Sequence, residues 1–304
     1  MSSEADAIID FDDKKCCASC GIAANDDVKL KNCTACHLVK YCGVKCQREH
    51  RSKHKRECKK RAAELHDEIL FKQPESSHHG DCPICCLPLS LDEQKSGMMT
   101  CCSKQICKGC CYANAMREIR ESLEQKCPFC RHPLQSKDED FGQNLMRRAE
   151  ANDPVAMREM GKRRRNEGDY GKAFGYWKKA AELGDSEAHF QISVFYRDGK
   201  GGEKDVKKAI YHAEQAAIGG HPRARFNLGY EELRNRRIER AMKHLIIAAN
   251  LGHDVSLRSL REHINIFVSE EDFAAALRAH QAALDATKSP QRVAGEAFYA
   301  KHQK

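Results

Sequence analysis

The chain has 304 residues, with 52 lysines and arginines against 44 acidic residues, a formal charge of +8. That length gives room for two or three domains and a sizeable core. No apolar run is long enough to cross a bilayer, and the acidic, polar start MSSEADAIIDFDDKK reads neither as a signal peptide nor as a transit peptide. An intracellular protein, cytoplasmic or nuclear, with no membrane partner is therefore expected. All 18 cysteines precede residue 131. With no route to an oxidising compartment, they read as thiols for metal and not as disulfides.

In chain order, residues 1–15 hold too little apolar sequence to pack and are expected to be disordered. Residues 16–71 form a first cysteine module, whose ligand candidates are Cys17-x2-Cys20, Cys33-x2-Cys36, Cys42-x3-Cys46 and His54-x3-Cys58. A two-residue gap lets a tight turn aim two sulfurs at one ion. A three-residue gap places two ligands one helical turn apart. The first two pairs are thus expected on turns and the last two on short helices, with helix continuing through AAELHDEILF to about Phe71. Eight ligands close two tetrahedral sites, which are structural because no position is left for water. Cys16 competes with Cys17, and the two-residue gap favours Cys17. His50 precedes His54 by one turn on the same face, and His37 reads as a surface histidine. Lys72–Gly80 (KQPESSHHG) has linker composition.

The order and spacing of residues 17–58, with Tyr41-Cys42 and Cys46-x7-His54-x3-Cys58, resemble a MYND finger. The resemblance selects His54 over His50. It implies interleaved sites, with Cys17, Cys20, Cys42 and Cys46 on one zinc and Cys33, Cys36, His54 and Cys58 on the other. It also implies docking of short proline-containing peptides. Some members of that family are methyltransferases through an added SET domain, and nothing here resembles one.

Residues 81–134 carry Cys82-x2-Cys85, Cys101-Cys102, Cys107-x2-Cys110 and Cys127-x2-Cys130. This pattern resembles a RING finger of the all-cysteine subclass, with Lys104 where common relatives place histidine. The implied cross-brace puts Cys82, Cys85, Cys107 and Cys110 on one zinc. Cys127 and Cys130 share the other with Cys101 and Cys102, for which Cys86, Cys111 or His132 are substitutes. The resemblance further implies a ubiquitin ligase that forms no covalent intermediate and orients a ubiquitin-charged conjugating enzyme. Its contacts would be Ile84, Pro128, a helix over 111–125 with Tyr112, Ala115, Met116, Ile119 and Leu123 as a stripe, and Arg131 after the last ligand. The plainer alternative packs that stripe against the zinc core and uses the arginine for solubility.

After a linker and lead-in helix at 135–151, the chain repeats itself. Ala180-Ala-Glu-Leu-Gly-Asp185 recurs as Ala216-Ala-Ile-Gly-Gly-His221 and Ala248-Ala-Asn-Leu-Gly-His253, at spacings of 36 and 32 residues, with a weaker copy near Ala282-Ala283. Periods of this size mean stacked helix pairs, because one pair cannot bury its apolar face alone. In the second copy a helix over 186–197 presents Ala188, Ile192, Phe195 and Tyr196, and one over 205–218 presents Val206, Ile210, Ala213 and Ala217. Tyr196, Gly199, Gly201, Asp205, Lys208-Ala209 and Tyr211 resemble Sel-one-like repeats, relatives of the tetratricopeptide solenoids. The resemblance covers 152–286, leaves a tail at 287–304, and implies a curved protein-binding surface. The expected fold is multidomain: two small zinc-stabilised cross-brace modules followed by an all-α helical-repeat solenoid.

Fifteen thiolates and four zinc ions lower the formal charge by seven, to about +1, so the basic excess reads as counter-charge for the metal sites. Lys14, Lys15, Lys45 and Lys108 lie beside ligands. The runs Lys53–Arg61 and Lys162–Arg165, the latter expected at a turn, read as solvated faces. A nucleic-acid partner is not expected. The leading expectation is a RING-type ubiquitin ligase with protein or peptide ligands on the MYND and repeat surfaces. The alternative is a non-enzymatic zinc-dependent adaptor.

Overall fold

A computed structural model describes residues 16–134, 138–263 and 266–301. Residues 1–15, expected to be disordered, lie outside the described residues, as do 135–137 of the second linker and 302–304 of the tail. The chain divides into two compact units, Met1–Leu70 and Phe71–Lys304.

In the first unit, β1 (Lys31–Asn32) and β2 (Lys40–Tyr41) pair antiparallel, and α1 (Val44–Leu70) follows. Cys17, Cys33 and Cys36 form a small buried apolar core with Val39 and Tyr41, and the buried His54 ring lies against Cys36. Apolar burial alone cannot hold so small a core. α1 is one helix of 27 residues carrying Cys46, His54 and Cys58, where two short helices were expected. Val44–Leu70 contains neither glycine nor proline, so nothing stops the helix between the ligands. Cys42 lies just before it.

The first strands of the second unit form a hairpin of β3 (Ser96–Met99) and β4 (Lys104–Cys107), with Ser96 opposite Cys107 and Met99 opposite Lys104. It leads into α2 (Lys108–Arg120), which starts and ends earlier than the expected 111–125. Cys107 caps its start, and Ser122, at φ 50°, turns the chain away at its end, so Leu123 lies off the helix. There follow α3 (Asp138–Glu150), α4 (Pro154–Asn166), α5 (Tyr170–Glu182), α6 (Ser186–Asp198), α7 (Val206–Ile218), α8 (Pro222–Arg234), α9 (Ile238–Asn250), α10 (Asp254–Glu262), α11 (Glu270–Ala286) and α12 (Pro290–Lys301).

Helices α4 to α9 pack as three successive pairs, each also touching the next. Small residues let their axes approach: Ala156, Ala173, Ala180 and Ala188 surround the fully buried Trp177. A Cβ on Gly161 would come within 2.3 Å of that indole, whose Nε1 donates to Arg158 O at 3.1 Å. Each repeat opens on a left-handed residue, namely Asn152, Gly184, Gly220 and Gly252. The next residue, Asp153, Asp185 or His221, caps the following helix with its side chain. Helices α6 and α7 match the expected pair to within a residue, although Val206 is exposed. Lys162–Arg165 lies in the last turn of α4 and not in a turn between helices; Arg163 and Arg164 pair with Glu167 there.

Two expected connectors are structured. The segment 72–80 lies against the solenoid: Lys72 O accepts from Arg225 Nη2 at 3.4 Å, Gln73 Oε1 from Asn250 Nδ2 at 3.0 Å, and Gly220 O from His78 N at 3.1 Å. Its contacts are polar and backbone-mediated, which leaves no hydrophobic period to read. The tail at 287–304 contains α12, which packs on α2.

Candidate metal centres

Four turns of common geometry present the paired cysteines. In each, the amide four residues beyond the first cysteine folds back on it: Gly21 N to Cys17 O at 2.9 Å, His37 N to Cys33 O at 3.0 Å, Cys86 N to Cys82 O at 2.9 Å and Arg131 N to Cys127 O at 3.0 Å. The residue after the second cysteine is left-handed every time: Gly21, His37, Cys86 and Arg131. That position accounts for His37, read from the sequence as a surface histidine, and for Cys86, read as a substitute ligand. His37 and Cys86 are exposed turn residues, and Arg131 occupies the same backbone slot.

The side chains gather into four sets: Cys17, Cys20, Cys42 and Cys46; Cys33, Cys36, His54 and Cys58; Cys82, Cys85, Cys107 and Cys110; Cys101, Cys102, Cys127 and Cys130. Within each set the ligand atoms lie within 4.8 Å of one another. Sulfurs bound at 2.3 Å to a tetrahedral zinc stand about 3.8 Å apart. The contacts fit that spacing: Cys20–Cys42 is 3.6 Å, Cys33–Cys58 3.7 Å, Cys85–Cys107 3.8 Å and Cys102–Cys127 3.9 Å. Cys101 and Cys130 are 3.4 Å apart, and His54 Nε2 is 3.1 Å from Cys36 Sγ. His50 instead meets the Tyr41 hydroxyl, at 3.1 Å. Both adjacent cysteines reach one set because they sit in the turn of the β3–β4 hairpin, where Cys102 N bonds Met99 O and Ser103 is left-handed. Cys16, Cys86, Cys111 and His132 stand outside every set.

Four thiols this close cannot all ionise unaided. A hydrogen bond from Cys107 holds Cys82 down to about 4, while burial pushes Cys110 up to about 12. In the first module, a hydrogen bond with Cys46 raises Cys42 to about 12, and burial raises Cys58 to about 12. A divalent cation removes this conflict by letting every sulfur carry its charge. The donor set of fifteen thiols and one imidazole suits zinc. Each set is complete, so metal held there has no open position and acts structurally.

Of the residues tied to ubiquitin transfer, Ile84 is 41 % exposed and Pro128 half-buried. Arg131 Nη1 donates to Asn114 Oδ1 at 3.0 Å and lies 3.6 Å from the buried Glu118, so it is engaged within the module. On α2, Tyr112 packs against Phe298 of α12, while Ile119 is exposed.

Sequence reading missed a buried cluster of His78, Glu187 and His221. Its hydrogen bonds argue against a metal. His221 Nδ1 accepts from Ala224 N at 3.2 Å, so Nε2 carries the proton and donates to Glu187 Oε2 at 2.9 Å. Gln191 donates to Oε1 at 2.6 Å, and His78 Nε2 lies 3.4 Å from Oε2. Burial alone would raise Glu187, but bonds from His221 and His78 outweigh it and hold the carboxyl well below its usual range. Recurrence of Gly-Asp as Gly-His at 220–221 was the available signal.

These features define a zinc-finger region followed by a helical-repeat solenoid. Residues 17–58 match the family model of the MYND finger. Residues 154–185, 186–221 and 222–253 match that of the Sel1 repeat. No curated protein matches the chain. Among solved structures, the chain is similar to a Sel1 repeat protein from Oxalobacter formigenes, at 26 % identity over 58 % of this chain and 72 % of that one, TM-score 0.43. It is also similar to c5321, described as a protective antigen present in uropathogenic Escherichia coli strains displaying an SLR fold. There the identity is 18 % over 62 % of this chain and 40 % of that one, TM-score 0.39. The chain thus carries a MYND finger and Sel1 repeats, while the RING-like reading of 81–134 rests on cysteine spacing and clustering.

Proposed function

We propose that the protein is a zinc-dependent interaction adaptor, in which four structural ions at the four sets above hold two cysteine modules (16–71 and 81–134) and the repeats (152–286) present the larger surface. The carrying observation is that each of the four cysteine-bearing sets offers four protein ligands, which leaves binding surfaces and not open positions on those metals to perform the function. In the MYND finger the peptide site is a cavity of about 390 Å³ beside the second set, where exposed Val44 is rimmed by Arg48, Arg51 and Lys55. A proline-containing peptide with acidic flanks suits it. Fluorescence anisotropy with such peptides and the zinc-loaded full chain tests this. Binding should weaken at least tenfold in Val44→Asp and vanish with chelator; binding indifferent to both would overturn the assignment.

A second reading, a RING-type ligase that contacts a ubiquitin-conjugating enzyme through Ile84, Pro128 and Arg131, is favoured by one observation: Ile84 projects exposed from the turn between Cys82 and Cys85. The pairing of Arg131 with Asn114 weighs against it. Autoubiquitination with a panel of charged conjugating enzymes separates the readings. Product that disappears in Ile84→Ala supports the ligase, and no product with any enzyme supports the adaptor.

A further inference from the structure

We propose that Arg292 is a positioning residue for the Cys82–Cys85–Cys107–Cys110 set, and that α12 closes this centre from a point far along the chain. The proposal rests on the reading of those four cysteines as zinc ligands. Three members of the set are buried, and Cys85 is the more open one. Arg292, 5 % exposed, is aimed at it: Nη2 donates to Cys85 Sγ at 3.3 Å and to Leu87 O at 2.9 Å, and Nη1 to Pro88 O at 2.6 Å. A fourth bond, Nη1 to Thr287 O at 2.8 Å, anchors the guanidinium to its own side. One side chain therefore grips both a ligand sulfur and the backbone of the turn that presents it.

The helix carrying Arg292 is built to sit this close. A Cβ on Gly109 would stand 2.7 Å from Arg292 Cα, and one on Gly295 would stand 2.9 Å from Gly109 Cα. The two backbones thus touch at paired glycines. Gln291 Nε2 donates to Gly109 O at 3.2 Å, at the start of the helix that carries Cys110. A zinc ion with four thiolates bears a net charge of −2, and a fixed guanidinium offsets it while restraining Cys85. Partners of this kind commonly control metal affinity by 10–100-fold.

Zinc retention in the full-length protein tests the assignment. A competing chelator should remove one ion of four about tenfold more readily from Arg292→Met than from wild type, with the other three unchanged and Arg292→Lys intermediate. Identical retention in wild type and Arg292→Met would overturn it, as would equal weakening of every ion. Native mass spectrometry of Cys82→Ser separates this from the underlying reading: an unchanged zinc count there would remove the ground under both. A wild-type measurement covers the case of a variant that does not fold. Amide exchange of residues 290–301 should lose protection in step with departure of that ion, and protection that outlasts it would sink the proposal.

Discussion

The MYND finger and the solenoid solve the same problem with different materials. The finger encloses three buried cysteines, one histidine, one valine and one tyrosine, too little apolar surface to hold it, so its cohesion depends on metal–ligand bonds. The solenoid contains no cysteine and builds its interior from apolar side chains in successive buried clusters, one around Trp177 and one around Leu245. In the finger a few directional bonds fix everything, and loss of one ligand is felt throughout. In the solenoid cohesion is distributed, and a defect is shared with neighbours.

Chelation offers the largest test of that contrast. Removing zinc should unfold residues 17–58 outright, since metal binding to such fingers contributes roughly 10–16 kcal/mol of folding free energy. Trp177 is the single tryptophan and lies in the solenoid, so its emission should stay that of a buried indole. A red shift in step with zinc loss would break the comparison. Next in size, Leu245→Ala removes a fully buried side chain from the solenoid and should cost about 2–5 kcal/mol by urea denaturation followed at Trp177, with the zinc count unchanged. Zinc loss in that variant would mean the two cohesions are linked.

The smallest effect concerns acid. Burial lowers His78 from 6.5 to about 3, so the unfolded chain takes up this proton first and stability falls as pH drops from 6.5 toward 3. Burial likewise lowers His244 to about 3. Each such histidine should cost about 2 kcal/mol between pH 7 and pH 5. Glu187 adds to this below its ordinary value of 4.5, because its depressed folded pKa gives stability that protonation removes. Urea midpoints at both pH values check the sign, and His244→Leu should flatten the dependence. A solenoid more stable at pH 5 would contradict these buried neutral imidazoles.

Features with a period or a fixed local spacing were legible in the sequence. The sixteen side chains cluster in the sets that the two zinc-finger resemblances imply; spacing shows which cysteines pair on one turn, while which pairs share a set comes from the resemblance. The boundaries of α6 and α7 follow from glycine and aspartate at each end. What escaped was long-range and polar. Nothing in KQPESSHHG announces that its carbonyls and His78 bind the solenoid, and Arg292 looks like any surface arginine until its bonds to Leu87 and Cys85 are seen. The length of α1 escaped for the opposite reason, since ligand spacing suggested breaks where the backbone has no residue to make them.

The distance between Cys85 and Arg292 also sets an order of events during synthesis. They are 207 positions apart, so at ordinary translation rates Cys85 leaves the ribosome about 10–40 s before the arginine that covers it. During that interval the nascent centre can exchange metal or meet oxidant at its most open sulfur. Docking of α12 ends the exposure, so a centre whose ligands are made early is closed only when a much later segment reaches it.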